Sequence, residues 1–462
     1  MRGTDRTKAL GTEPIGKLIL RLATPSVISL GVLAFYNVVD AIFVGHGAGT
    51  LAIAGIGVAF PILLLIIGIG QLVAVGGASL LSRALGEKDR PLARQTLGNS
   101  ITLGLIVSLI IAVFGFLLRE DLARFAGATE EVLPHALAYI SVIVVGAFTL
   151  VMSSIFASTV RAQGQAARAT LPIIVGGVLN VGLDPIFIFG LKLGVAGAAW
   201  ATVISAGVAM AYYVGSMLRR QSGVLLSLRD FILRTRIVSR ILGVGAASFA
   251  GVVASSASTI VINRALAAVG GGLEIAIFSV VNRIVMFSRM PVFGVVDGAQ
   301  PIYGYNFGAG DYRRVIVAIR YALVSAMGLA GIFWALFLLM PRGFLSVFSS
   351  DPQLLIQGVP ALRIVVLALP ILALQAITGG LYQALGFAWR ALAVSLLRDI
   401  ALVIPAVLIL SAYYDVNGVW MAFPVADAAA ALVVTPLLIF EILRLRKMIR
   451  LQRGVEAPIE PV

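Results

Sequence analysis

Twelve stretches of this chain are each apolar for long enough to cross a bilayer as a helix, a length of about 20 residues. They fall at roughly 18–44, 51–80, 95–118, 133–160, 169–191, 195–218, 241–268, 275–306, 315–340, 355–385, 391–412 and 418–443. No soluble core has room for them: 60% of the 462 residues are hydrophobic and only 12% charged, where an ordinary globular chain is about a quarter charged. The apolar character is continuous within each run, as in helices, whereas strands of a membrane barrel alternate over about ten residues. The expected fold class is an all-α integral membrane protein with twelve transmembrane helices. The chain has no cysteine, which excludes a disulfide framework, a thiol nucleophile and a zinc–sulfur site.

A net charge of +14 would suggest nucleic acid in a soluble protein, but its placement points elsewhere. Of the 35 Lys and Arg, only Arg119, Arg124, Lys192 and Arg342 lie in connections on one side of the predicted bundle. Arg264, Arg283, Arg289, Arg363 and Arg398 lie within runs, and the remaining 26 gather on the other side with both termini. Cytoplasmic loops carry such an excess, so both termini are expected in the cytoplasm and the protein in the cell membrane. The same charge attracts anionic lipid, and no nucleic-acid partner is expected. The first run has no small-residue cleavage site and is expected to remain as a helix.

The chain repeats itself. "RALGEKDRPLAR" places Gly86 and Asp89 where "YNFGAGDYRRVI", 222 residues later, has Gly308 and Asp311. At the same offset "RAQGQAARA" aligns Gly164, Arg168 and Ala169 with Gly386, Arg390 and Ala391 of "QALGFAWRA". The repeat unit is six helices, an even number, so two lobes share one orientation about an axis along the membrane normal, as in many secondary transporters. The expected organisation is an amino-terminal lobe over 1–220, a basic cytoplasmic linker over 221–240, a second lobe over 241–445 and a tail over 446–462.

A carboxylate at the centre of a spanning helix costs about 2.5–3.5 kcal/mol on insertion scales and usually faces a functional cavity. Asp40, in "NVVDAIFVGH", and Asp184, in "LNVGLDPIFIFG", are the clear first-half cases. Their counterparts in the second half are Ile262 and Ala406, so the shared scaffold does not need the acids. Tyr36 precedes Asp40 by four residues and Asn180 precedes Asp184 by four, putting each pair on one helix face. Pro185 removes a helical N–H and is expected to kink the helix and free the carbonyl of Val181. Such a face can hold a cation or a water, with Tyr139 and Thr202 as further oxygen donors. In the second half, Arg398 and Asp399 are neighbours that point in different directions and need other partners; with Arg283, Arg289, Asp297, Arg363 and Asp427 they are expected to pair and hold that lobe together. His46 and His135 have no companions at metal-ligand spacing.

These motifs together resemble the multidrug and toxic compound extrusion (MATE) transporters. "FYNVVDAIFVG", "RAQG", "LNVGLDPIFIFG" and "GVAGAAWAT" carry the likeness over nearly the whole chain, most closely to the DinF-type prokaryotic branch. The resemblance implies a V-shaped pair of six-helix lobes exporting organic cations and other drug-like small molecules in exchange for H+ or Na+; no cofactor is expected, and the chain is expected to be a monomer among membrane lipids. It further implies an ion-coupling site at Asp40 and Asp184, with Tyr36, Tyr139, Asn180 and Thr202 around them; for sodium, the ligands would be Asp184, Asn180 and Asp40. One departure is "SSIFAST", which puts Ser153, Ser154 and Ala157 where some relatives have asparagines.

Three other readings fit parts of the pattern. A major facilitator transporter shares the two halves but has no place for "LNVGLDPIFIFG". A flippase for lipid-linked oligosaccharides or lipids, from the same superfamily, would want cations lining its cavity; the first-half charges are acidic, but the second-half arginines keep this alternative open. A membrane enzyme would need a metal cluster or a nucleophile–base spacing, neither of which accompanies the acids. No phosphate-binding glycine loop supports an ATP-driven pump.

Overall fold

The computed structural model describes the backbone of residues 3–48, 50–218, 226–270, 272–348 and 351–452. Among these, the side chains of 3–6, 34, 36–38, 40–42, 44–48, 50–54, 218 and 272 lie outside the described residues. After a short helix at Gly3–Thr12, the first six-helix lobe comprises α1 (Ile15–Ala48), α2 (Thr50–Gly86), α3 (Arg90–Leu117), α4 (Leu133–Val145 and Ala147–Ala162), α5 (Ala166–Pro185) and α6 (Val195–Leu218). The second comprises α7 (Thr235–Val269), α8 (Gly272–Gly308), α9 (Tyr312–Leu339), α10 (Pro352–Val365 and Leu369–Leu385), α11 (388–414) and α12 (416–452). The last two run on from each other and are divided at Asp415, which has φ 49° and ψ −133°. Both α4 and α10 bend by 50° midway, at equivalent places in the two lobes.

The repeated loop motifs have a local physical cause. Asp89 caps α3, its Oδ1 accepting from the Leu92 amide at 2.9 Å, and Asp311 caps α9 in the same way, accepting from the Arg314 amide at 3.1 Å. Both satisfy an amide that a helix start leaves unpaired. The residue before each cap is left-handed, Lys88 at φ 60° and Gly310 at φ 74°. Gly164 (φ 77°) and Gly386 (φ 81°) likewise turn the chain after α4 and α10, a conformation that costs a side chain about 1–2 kcal/mol.

Large apolar side chains such as Leu109, Val178, Val324 and Leu432 are more than half exposed. On a soluble protein these would be aggregation patches; on this one they face lipid. Inside the first lobe Ile140, Ile143, Val151, Ile155 and Tyr213 are buried together. Among the described residues the second lobe has three buried clusters, one around Ile302, Tyr303, Ile319 and Leu381 that also takes in Leu18, Ile19 and Leu22 of α1, one around Phe278, Phe337, Leu362 and Trp420, and a smaller one around Tyr382, Val394 and Val434.

The lobes meet where α2 crosses α7 and where α1 and α2 cross α8. The α2–α7 crossing is close because Gly76 lies against the Ile241 carbonyl and Gly245 against that of Leu72, leaving no room for a Cβ at either. Small residues permit this approach where lipid removes the hydrophobic drive for helices to associate. Polar contacts join the lobes at the end that carries the termini. Arg83 Nη1 donates to the Ala384 carbonyl at 3.0 Å, the Ser79 hydroxyl donates to the Gln383 carbonyl, and Arg161 pairs with Asp297 at 2.9 Å. Between the lobes, Leu228–Phe231 form a 3-10 turn seated on α3. Asn99 Nδ2 donates to the carbonyls of Asp230 and Ile232, each at 3.1 Å, and Asn99 Oδ1 accepts from the Arg234 amide at 2.8 Å. The late part of the expected linker is thus bound to the first lobe, and α7 begins at Thr235, earlier than its apolar run.

Candidate functional site

On α5, Asn180 and Asp184 are one turn apart and buried, Asp184 at 0% exposure and Asn180 at 1%. The helix does not break at Pro185, which keeps helical angles of φ −62° and ψ −34°. Instead it widens into a π-helical turn, Ile186–Gly190, closed by the Leu191 amide donating to the Ile186 carbonyl at 2.8 Å. A wide turn is one way for a helix to absorb the missing proline N–H, and it lies next to the carboxylate.

The Asn180 amide donates to the Thr202 hydroxyl of α6 at 3.5 Å, the long end of hydrogen-bond range. Its carbonyl oxygen is sealed from solvent and accepts nothing from the described residues. Ser205 stands one turn beyond Thr202, with a buried hydroxyl also lacking a partner. Sequence reasoning missed Ser205; its signal was the i,i+3 spacing from Thr202. The α5–α6 crossing that brings these groups together is tight, since a Cβ on Gly176 would sit 3.2 Å from the Ser205 carbonyl oxygen. Tyr139 of α4 is buried in the same lobe. Asp40 and Tyr36 fall within α1, which packs on α5, but their side chains lie outside the described residues.

The site is therefore a carboxylate, an amide and the Thr202 hydroxyl in an apolar lobe, with the Ser205 hydroxyl a turn away beside Gly176. Hard oxygen donors of this kind hold a proton or a small cation, and a carboxylate taken out of water must be compensated. Among the described residues no group of three His, Cys, Asp or Glu side chains could hold a metal ion.

The second-lobe charges only partly follow expectation. Arg398 binds Asp427 through Nε at 2.5 Å, as mutual pairing requires, but it also binds its neighbour Asp399 through Nη1 at 2.7 Å, a pair not expected of adjacent residues: the helix widens to a π-helical turn over Leu397–Val403 there. Asp297 does not join them: its partner is Arg161 of the first lobe. Glu441, wholly buried near the end of α12, is held by Arg390 at 2.7 Å and Arg444 at 3.1 Å.

The MatE family model matches the chain twice, over residues 25–186 and 247–408, so that the second match begins and ends 222 residues after the first. The chain belongs to the MatE family. Members of this family are transporters and not enzymes, and the repeat read from the loops is the family's own. Among curated MATE relatives, the multidrug export protein MepA of Staphylococcus saprophyticus is 25% identical over 416 residues, covering 90% of this chain and 92% of that one. MepA of Staphylococcus aureus is 24% identical over 424 residues, covering 91% and 92%. Of the solved MATE structures, an outward-facing multidrug resistance transporter of the MOP superfamily superposes with TM-score 0.91 at 27% identity, covering 95% of this chain and 98% of that one. A MATE protein in complex with MaL6 matches with the same score and identity, covering 95% and 99%. The twelve-helix, two-lobed MATE architecture expected from the apolar runs is the one observed.

Proposed function

We propose that this protein is a secondary active multidrug exporter, antiporting organic cations and other amphipathic compounds against H+ or Na+ through the carboxylates of its first lobe, as in the DinF-type branch. The termini are cytoplasmic in this reading, following the basic loops, and residues 1–220 and 241–445 act as the two rocking lobes. The observation that carries it is Asp184 with Asn180, both buried on one face of α5 inside a lobe where the repeat has no use for an acid. The names of the curated relatives support drug export over the flippase alternative.

The mechanism follows from charge balance. With the cleft open outward, a proton or sodium ion reaches the first-lobe oxygens and neutralises the acidic charge of Asp184 and Asp40. A bound organic cation then loses its counter-charge and departs. Once the lobes rock to face the cytoplasm, the ion leaves, the negative charge returns and a new cation is drawn in. Asn180, Thr202, Tyr139 and Tyr36 supply oxygens that shape the ion's place, and the widened turn after Pro185 lets that segment shift without breaking the helix.

The test is export of a fluorescent organic cation from proteoliposomes under an imposed pH gradient and, separately, a sodium gradient. Asp184→Asn and Asp40→Asn nearly preserve shape and remove the charge; each is expected to abolish gradient-driven export from folded protein. Export that continues in both variants would overturn the proposed site.

A further inference from the structure

A polar cavity of about 70 Å³ lies between the lobes, walled by α2 and α4 of the first and by α8 and α10 of the second. It has room for a few waters, or for one small charged group in their place. The repeat fixes where it sits. Val75 and Asp297, Ala78 and Gln300, and Ala162 and Ala384 are among the residues around it, and the members of each pair are 222 residues apart. A space lined by both members of such pairs lies on the axis that relates the lobes. Transporters built from repeats carry their cargo at that interface.

A turn or two nearer the end that bears the termini, α2 and α8 shut against each other. Gly308 lies against the Arg83 carbonyl there, and Gly86 against that of Tyr305. The cavity is therefore the floor of the cleft, next to its closed end. The side chains of Arg161 and Asp297, which both reach it, are 17% and 35% exposed. Water reaches this pair, so parting it strands neither charge in apolar surroundings.

The two charges break the symmetry of the axis. Asp297 stands where the first lobe has Val75, and the counterpart of Arg161 is Gln383, so the shared scaffold needs neither. Arg161 donates to a single carboxylate oxygen, from Nη1 to Oδ2 at 2.9 Å, although a guanidinium can bind both oxygens at once. The other polar residues around the cavity are neutral. A cation that enters it meets one carboxylate, and that carboxylate is held by one prong of a solvated arginine.

We infer that Asp297 is a cargo site on the transport axis, occupied in turn by the cationic head group of the exported molecule and by Arg161. A planar head group with two N–H donors, an amidinium or guanidinium, suits it best, because it offers Asp297 the same fork as Arg161. With the cytoplasmic end open, the head group rests on Asp297. As the lobes close there, Arg161 takes the carboxylate and drives the cation on toward the first-lobe charge and the outer opening. Shutting the cytoplasmic end and displacing the cargo are then one event. The direction of transport rests on the proposed cation export; the site itself uses neither Asp40 nor Asp184.

Two probes of one shape test this: naphthalene-2-carboximidamide, an amidinium at neutral pH, and naphthalene-2-carboxamide, which is uncharged. Calorimetry measures their binding to the purified full-length protein in neutral detergent, for wild type, Asp297→Asn and Arg161→Gln. Wild type should prefer the amidine to the amide by about tenfold or more. Asp297→Asn should weaken the amidine by about 10- to 100-fold, the loss of one charge-assisted contact. Arg161→Gln removes the competitor and should tighten it by about three- to tenfold. A pair with only a structural role is broken equally by both changes and would move affinity in one direction. Both variants should fold, the pair being solvated, and the wild-type comparison of amidine with amide stands apart from either. The opposite shifts should persist in an Asp184→Asn background, which separates failure of this site from failure of the first-lobe site. Equal binding of amidine and amide by wild type, or shifts in the same direction or none in the two variants, would overturn the assignment.

Discussion

Arg398 and Arg161 show how burial sets what a single charged side chain contributes. Arg398 is 9% exposed at its side chain and satisfies two carboxylates, Asp427 and Asp399, themselves 5% and 17% exposed. Removing one partner of a buried pair typically costs about 3–5 kcal/mol, because the remaining charge is stranded. Arg398→Ala is therefore expected to lower the melting temperature in detergent sharply. The Arg161–Asp297 pair is wetter, at 17% and 35%, and Arg161→Ala should cost about 1 kcal/mol or less. Differential scanning fluorimetry of the two variants checks the order; an equal loss would contradict it. The sequence made Asp184 and Asn180 legible because an acid is conspicuous in an apolar run and i,i+4 spacing needs no tertiary knowledge. It could not show that Asp297 leaves its own lobe for Arg161, since that choice depends on how two lobes meet. Ser205 was hidden for a simpler reason: a serine in an apolar helix usually bonds its own backbone.

At the scale of elements, the turns before α3 and α9 are one device with one difference. Gly310 adopts a left-handed φ of 74° at little cost, while Lys88 adopts 60° as a residue with a side chain. Gly310→Ala should lose about 1–2 kcal/mol, and Lys88→Gly should lose nothing and gain a few tenths to about 1 kcal/mol. Thermal melts of the two single variants measure the contrast. Gly386→Ala combines a left-handed φ of 81° with a Cβ placed against the Arg83 guanidinium, so it should be the most damaging of the three. These loops were readable as a repeat before their conformations were known, because caps and left-handed turns restrict residue type locally. The π-helical turn after Pro185 was not readable: proline predicts a disturbed helix, but whether it kinks or widens is decided by how α5 packs against α1 and α6.

For the molecule as a whole, the twelve spans and two lobes followed from run length and the 222-residue offset, since a bilayer leaves few other ways to satisfy a backbone. What the sequence left open is which end of the cleft is shut. The structure closes it at the end bearing the termini, through Gly76, Gly245, Arg83 and the Arg161–Asp297 pair. Alternating access requires those contacts to part. Asp297→Asn is therefore expected to shift the lobes toward opening at that end, read as longer distances between spin labels on the loops before α3 and after α10. The chain has no cysteine of its own, so labels can be placed singly; unchanged distances would mean that the pair is no latch. In the proposed mechanism an organic cation and the coupling ion share the first-lobe charge. The most direct measurement adds tetraphenylphosphonium to purified protein in weakly buffered, sodium-controlled detergent solution and follows ion release with a pH dye and a sodium electrode. Wild type should release protons or sodium ions as the cation binds, and Asp184→Asn should release neither. Tight binding without release in wild type, or undiminished release from the variant, would contradict the account.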